Sequence, residues 1–267
     1  MMKTIKKYMK LYRRLSAQSL KTLMEYKVDF LIGLSGFLVS QVIGILTLNI
    51  IFNQIPVLNG WNYNQVLLVY AMAQIPRGLD HMLTDNLWLL SNRIIVRSEF
   101  DKYLLKPINP LFYLLAEKFQ TDAFGELIIG ICLLCYSVIN LRLKITFTYV
   151  IFFLVFIICG TIIYTGIKLV FSSLAFWFKT SDGILGMVYS MSDFAKYPIS
   201  IYPSFIRGII SFIIPFAFTA YFPAAYFLKK ESVTMCVFGL MICTITISII
   251  SLKVWYEGIK VYEGAGN

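Results

Sequence analysis

IIVRSEFDKYLLKPINPLFYLLAEK, residues 94–118, decides how the rest of this chain is read. It carries four basic and three acidic side chains, yet apolar sequence lies on both sides of it. Placed on a helix, Ile94, Phe100, Tyr103 and Leu104 gather roughly on one side, with Ile95 near its edge. Arg97, Glu99, Asp101, Lys102 and Lys106 fill much of the remainder. Lys106-Pro107-Ile108-Asn109-Pro110 cannot continue a helix, because proline lacks the amide and crowds the preceding residue, so a turn is expected there. A second helix then climbs into the next apolar stretch. Such a segment suits two roles: a plug for the groove of a soluble partner, or an amphipathic linker resting on lipid.

The flanks say which solvent surrounds it. The chain has 267 residues, 58% of them hydrophobic and only 14% charged. A water-soluble domain carries roughly 25% charged residues. The excess apolar content points to lipid. The net charge of +10 does not read as a nucleic-acid groove, since eight of the 24 Lys and Arg lie in the first 27 residues and most others border apolar runs. Cys132, Cys135, Cys159, Cys236 and Cys243 all lie inside apolar runs. The C-x-x-C spacing of the first two has no second ligand pair, so they read as small hydrophobes, with no metal site.

Six membrane spans are expected, at about 30–52, 65–88, 121–141, 145–178, 208–228 and 232–252. The first is uncharged for 23 residues, enough at ~1.5 Å per residue to cross ~30 Å of hydrocarbon. Gly36, Ser40 and Gly44 form a small-residue ridge along it. Residues 53–64, NQIPVLNGWNYN, read as a turn, and 179–207 as interfacial or re-entrant, broken by Pro198 and Pro203. Residues 1–27 form a separate cytoplasmic element. There Ile5, Tyr8, Tyr12 and Leu15 recur on one face and Lys3, Lys7, Lys10 and Arg14 on the other, as in a helix lying in the headgroup layer.

In the second span Arg77, Asp80 or His81, and Thr84 or Asp85 recur on one helical face. Ionisable groups at this depth line a wet path, fasten helices by an Arg–Asp pair, or mark a helix end already in the headgroups. His81 is the only histidine, which excludes His-based metal sites and triads. Asp122, Glu126 and Lys168 are the remaining charges within spans. With both termini on the cytoplasmic side, the outer loops hold only Arg142, Lys144, Lys229 and Lys230. The opposite orientation would expose eighteen cations outside. No G-x-x-x-x-G-K-[ST], H-E-x-x-H or G-x-S-x-G occurs, so neither enzymatic activity nor nucleotide binding is expected of this chain.

IIVRSEFDKYLLKPINPLFYLL, AKYPISIYPSFIR, PFAFTAYFPAAYFL and the terminal YEGAGN follow one another in an order that resembles the six-span permeases of the ABC-2 family of ATP-binding-cassette exporters, in the branch where two related permeases are often paired with one ATPase. Glu99-Phe100 is a departure, since the branch more usually has Gly followed by an acidic or aliphatic residue. The resemblance implies an all-α polytopic fold and a bacterial plasma-membrane location. It implies two permeases, identical or related, over two ATPase subunits that hold ATP and Mg. It makes Arg97, Ser98, Glu99, Phe100, Asp101, Lys102, Tyr103, Leu104, Leu105, Lys106 and Pro107, within the 91–118 segment, the coupling helix that seats in the ATPase, with Phe100, Tyr103 and Leu104 as its apolar anchors. No substrate residues transfer by the resemblance. A non-transporting membrane assembly protein and a gradient-driven carrier are the competing classes; the near-absence of charge in the spans counts against the carrier.

Overall fold

The structure is a computed structural model that describes residues 2–25, 27–121 and 123–264. It opens with α1 (Met2–Glu25), longer than the expected amphipathic stretch. Tyr8, Tyr12 and Leu15 are half-buried, whereas Lys10, Arg13 and Arg14 are exposed; the side chain of Ile5 lies outside the described residues. Helix α2 (Lys27–Gln54) is apolar all round, so its glycines do not interrupt it. A hairpin follows, β1 (Val57–Leu58) with β2 (Trp61–Asn62). Asn59 (φ 47°) and Gly60 (φ 79°) occupy its two left-handed positions, the residue pair that a tight two-residue turn requires.

Asn62 caps α3 (Tyr63–Thr84): its side chain accepts from Gln65 N at 3.0 Å while its own amide donates to Gln65 Oε1 at 3.3 Å. The helix direction continues through α4 (Asn86–Leu89) and a wide turn, Leu90–Ile94. It stops at Ser98, which is left-handed (φ 54°). There Ser98 N donates to Ile95 O at 3.0 Å and Glu99 N to Ile94 O at 2.8 Å, the two reverse bonds of a Schellman ending. Then come α5 (Asp101–Leu104), α6 (Pro110–Ala116), α7 (Phe124–Asn140), α8 (Phe147–Ser173) and α9 (Ala175–Phe178). Helix α10 (Asp182–Ser190) tightens into 3₁₀ turns as far as Ile201. Past α11 (Ser204–Gly208), α12 (Tyr221–Phe227) and a wide turn, α13 (Leu240–Val261) ends the fold. Schellman endings recur at Arg142 (φ 49°) and Lys229 (φ 54°). A cation at these positions faces the negative end of the helix dipole, which offsets the cost of a left-handed non-glycine residue.

Among the described residues three helices are long and apolar enough to cross a membrane: Phe30–Gln54, Phe147–Phe178 and Met235–Val261. This is an all-α membrane protein with one two-stranded hairpin. Helix α3 lies at its centre, buried along most of its length. Small residues let α7 and α8 approach it: a Cβ on Gly130 would stand 2.8 Å from Ile75 Cγ1, and one on Gly160 3.0 Å from Pro76 Cβ. Helix α13 packs on α8, with Gly166 against Ile247. Helix α2 is held by Leu48, by Gly44 against the Tyr70 hydroxyl, and by Gln41, which accepts from Tyr70 OH at 2.7 Å. Ile32, Ile43 and Ile50 on α2 are left bare, so the predicted ridge splits: Gly44 is packed, and a Cβ on Gly36 would meet nothing within 4 Å.

Two contacts place the late segments in the bundle. Ser181 N donates to Ser91 O at 2.8 Å at one end of the bundle, and Asn59 Nδ2 donates to Ser200 O at 3.1 Å at the other. Residues 182–200 therefore run from one end of the bundle to the other. Lys230 Nζ donates to the carbonyl of Gly60, in the hairpin whose Asn59 binds Ser200. The chain from 201 to 230 thus leaves one end of the bundle and returns to it. The physical reason lies in Pro203 and Pro215: the wide turn Ile209–Ile213 ends at Ile214, and a 3₁₀ turn, Phe216–Thr219, reverses the direction. Apolarity and length alone do not distinguish a crossing from a return.

Candidate functional site

Two groups of side chains carry the chemistry. The first surrounds residues 94–118. An apolar cluster separate from the main core gathers Leu87, Leu90, Ile94, Phe100, Phe176 and Trp255 at the Ser91 end of the bundle. The Phe100 ring stands edge-on to Phe176 at 5.1 Å, Trp255 at 5.8 Å and Tyr262 at 5.1 Å. Phe100 and Tyr103 are 0% and 1% exposed, so they cannot be the outward anchors expected of them. The helical face was misplaced because the helix ends at Arg97 and resumes only at Asp101, which turns Phe100 inward. The apolar side chains that do face out are Val96, Leu104 and Leu105, the last 84% exposed. Arg97, Lys102 and Pro107 accompany them, while Ser98, Glu99, Asp101 and Lys106 are half-buried.

Polar contacts hold this ridge in place. Arg93 pairs with Glu99 at 3.1 Å and Lys102 with Glu117 at 3.1 Å. Tyr103 OH donates to the same Glu117 carboxylate. Burial, then that acceptor, raises the Tyr103 phenol above its usual range. Burial and the Asp101 carboxylate push Tyr262 up to about 12. Asn109 caps α6 by accepting from Phe112 N at 3.1 Å, and its own amide donates to Tyr8 OH of α1 at 3.2 Å. Lys106 Nζ lies 3.6 Å from the centre of the Tyr113 ring.

The second group is buried in the bundle. Asp80 and Lys168, both 0% exposed, pair at 2.8 Å. Asp80 also accepts from Thr84 at 2.6 Å, Thr165 at 2.9 Å and Tyr189 at 3.0 Å. One carboxylate therefore receives donors from α3, α8 and α10. Lys168 reaches Asp85 at 3.6 Å. His81 lies 3.3 Å from both Asp85 and Glu126. Arg77 Nη1 donates to Asp193 at 2.7 Å, with Glu126 at 3.9 Å and Lys196 on the same Asp193 at 2.8 Å. The expected cluster of Arg77, Asp80, His81 and Asp85 is thus brought together, with His81 and Asp85 meeting directly and the other contacts made through partners on other elements. Lys168, Glu126, Asp193 and Tyr189 complete it. A lone Lys in an otherwise uncharged 27-residue helix was the available signal for the first of these. Asp193 and Tyr189 lie in the stretch expected to be interfacial or re-entrant, where no spacing tied them to α3.

The arrangement can fasten helices and hold charge at depth; no group of three or more possible metal ligands occurs among the described residues. No curated protein matches the chain. A family model described as ABC-2 family transporter protein matches residues 38–266. That match takes in α3, both side-chain groups and the folded-back segment, and by it the chain belongs to the ABC-2 family of transporter proteins, the membrane-embedded permease components of ABC transporters.

Proposed function

We propose that this chain is the permease subunit of an exporter in a bacterial plasma membrane, driven by a separate ATPase that holds ATP and Mg. The observation that carries this reading is the ridge of Val96, Leu104 and Leu105, apolar and bare, on a segment locked by an aromatic cluster and ion pairs. A rigid apolar peg among charges fits helix-in-groove docking, in which the charges set orientation. In this reading six crossings are made by α2, α3, α7, α8, residues 182–201 and α13. The peg and both termini face the cytoplasm. Sixteen cations then lie at the peg end and five (Arg142, Lys144, Arg207, Lys229 and Lys230) at the other, which agrees with the positive-inside bias.

Two permeases over two ATPases would place the transport path between them. Asp193 favours one face for it. Although paired with Arg77 and Lys196, its side chain is 54% exposed about midway along a traverse of the bundle. An open carboxylate at that depth needs water or a partner, not hydrocarbon.

Leu105→Asp combined with Val96→Asp tests the docking. Detergent extracts of the unchanged protein should copurify an ATPase subunit, and the variant should not, while eluting and melting as before. An undiminished yield of ATPase with the variant overturns the docking surface. Gradient-driven flux in vesicles with no ATPase present would favour the carrier class instead.

A further inference from the structure

An apolar cleft of about 180 Å³ opens beside the turn between α7 and α8. Leu68 of α3, Val138 of α7, Phe153 of α8 and Phe227 of α12 line it, and Lys144 stands on its wall. Its inner surface is almost wholly apolar. A cavity of about 150 Å³ with such walls stays dry and takes up a six-carbon ring, so this one has no use for water and room for the end of a hydrocarbon chain. Two exposed cations, Arg142 and Lys144, occupy the turn. The Schellman ending explains the juxtaposition: it turns Arg142 out through its positive φ while Leu143, the next residue, joins the cleft wall.

We propose that this cleft holds the acyl chain of an anionic phospholipid whose phosphate is bound by Lys144 and Arg142. Charge complementarity selects this occupant over a neutral one: an apolar slot ends in two cations, the mirror image of a lipid tail ending in an anionic headgroup. The site lies at the bundle end opposite the ridge of Leu105. It depends on the chain's place in a membrane and not on the ATPase reading.

The test uses the full-length protein in detergent, incubated with phosphatidylglycerol or with phosphatidylcholine of the same acyl chains, and native mass spectrometry to count the lipids retained. Phosphatidylglycerol should be retained in preference. Lys144→Gln with Arg142→Gln should weaken its retention by about fivefold per cation removed. Val138→Trp, which fills the cleft, should abolish retention of that lipid while copurification of any ATPase is unchanged. Equal retention of the two lipids, or retention indifferent to both variants, overturns the site. So does a disulfide between two copies carrying Val150→Cys, since a second chain would then cover the cleft.

Discussion

Replacing Lys168 by Met should destabilise this protein more than any exposed substitution. Lys168 and Asp80 are each 0% exposed and 2.8 Å apart. At an effective dielectric of about 20, Coulomb's law gives a gross attraction of ~6 kcal/mol at this separation. Desolvation of the two ions consumes several kcal/mol of that, so the pair contributes far less than the gross figure. Its removal from one side is another matter. Thr84, Thr165 and Tyr189 still hold Asp80 in place, but no buried cation remains against it. Leaving such a charge uncompensated costs about 3–5 kcal/mol. For a chain of this size that corresponds to a melting temperature roughly 10 °C lower. Tryptophan fluorescence during a thermal ramp in detergent reads this directly. Asp80→Asn together with Lys168→Met removes both charges and should recover at least half of the loss. A single variant melting within about 2 °C of the unchanged protein, or a double variant no better than the worse single one, would refute the reasoning.

Phe100→Asp should fail differently from Leu105→Asp: the first places a carboxylate among Phe176, Trp255 and Tyr262 and should prevent folded protein from accumulating in the membrane, whereas the second should leave expression and melting unchanged. Trp255→Ala empties the centre of that cluster and should cost about 3–5 kcal/mol, visible as a lower melting temperature. Gly130→Val thrusts a branched side chain into Ile75 and Gln74 of α3; overpacking of this kind costs about 1–3 kcal/mol, measurable in the same ramp. Gly60→Ala forces a side chain onto φ 79° in the hairpin turn and should cost about 1–2 kcal/mol, with the α2–α3 connection becoming more sensitive to protease added at that end.

Much of this fold was legible because lipid leaves a simple imprint: long uncharged runs mark helices, and the cap at Asn62 and the reversals at Arg142 and Lys229 have local chemistry. The segments from 179 to 230 were not legible by the same rule. Residues 182–200 traverse the bundle with Asp182, Asp193 and Lys196 in them, since Arg77 answers Asp193 from another helix, and no window of sequence contains both. The uncharged stretch that follows turns back because Pro215 stands in the middle of it. At the peg, amphipathic spacing assigned Phe100 to the outside because it presumed an unbroken helix; the left-handed Ser98 shifts the register, and an L-residue in that conformation leaves little trace in sequence. The carboxylates and cations of α3 were found from their spacing, but apart from the His81–Asp85 pair their charged partners lie at separations that only the folded chain brings together.

The hairpin at Asn59 and Gly60 acts as a clasp. One side of it grips Ser200 and the other grips Lys230, so both feet of the folded-back stretch are tied to the same four-residue loop. Each hydrogen bond is exposed to water and worth about 1 kcal/mol, and Lys230 adds a contact over the Trp61 ring at 4.4 Å. The span between those feet is anchored separately, since Phe216, Phe218, Phe222 and Phe227 are buried in the main core, so slipping both knots loosens the feet and leaves the middle seated.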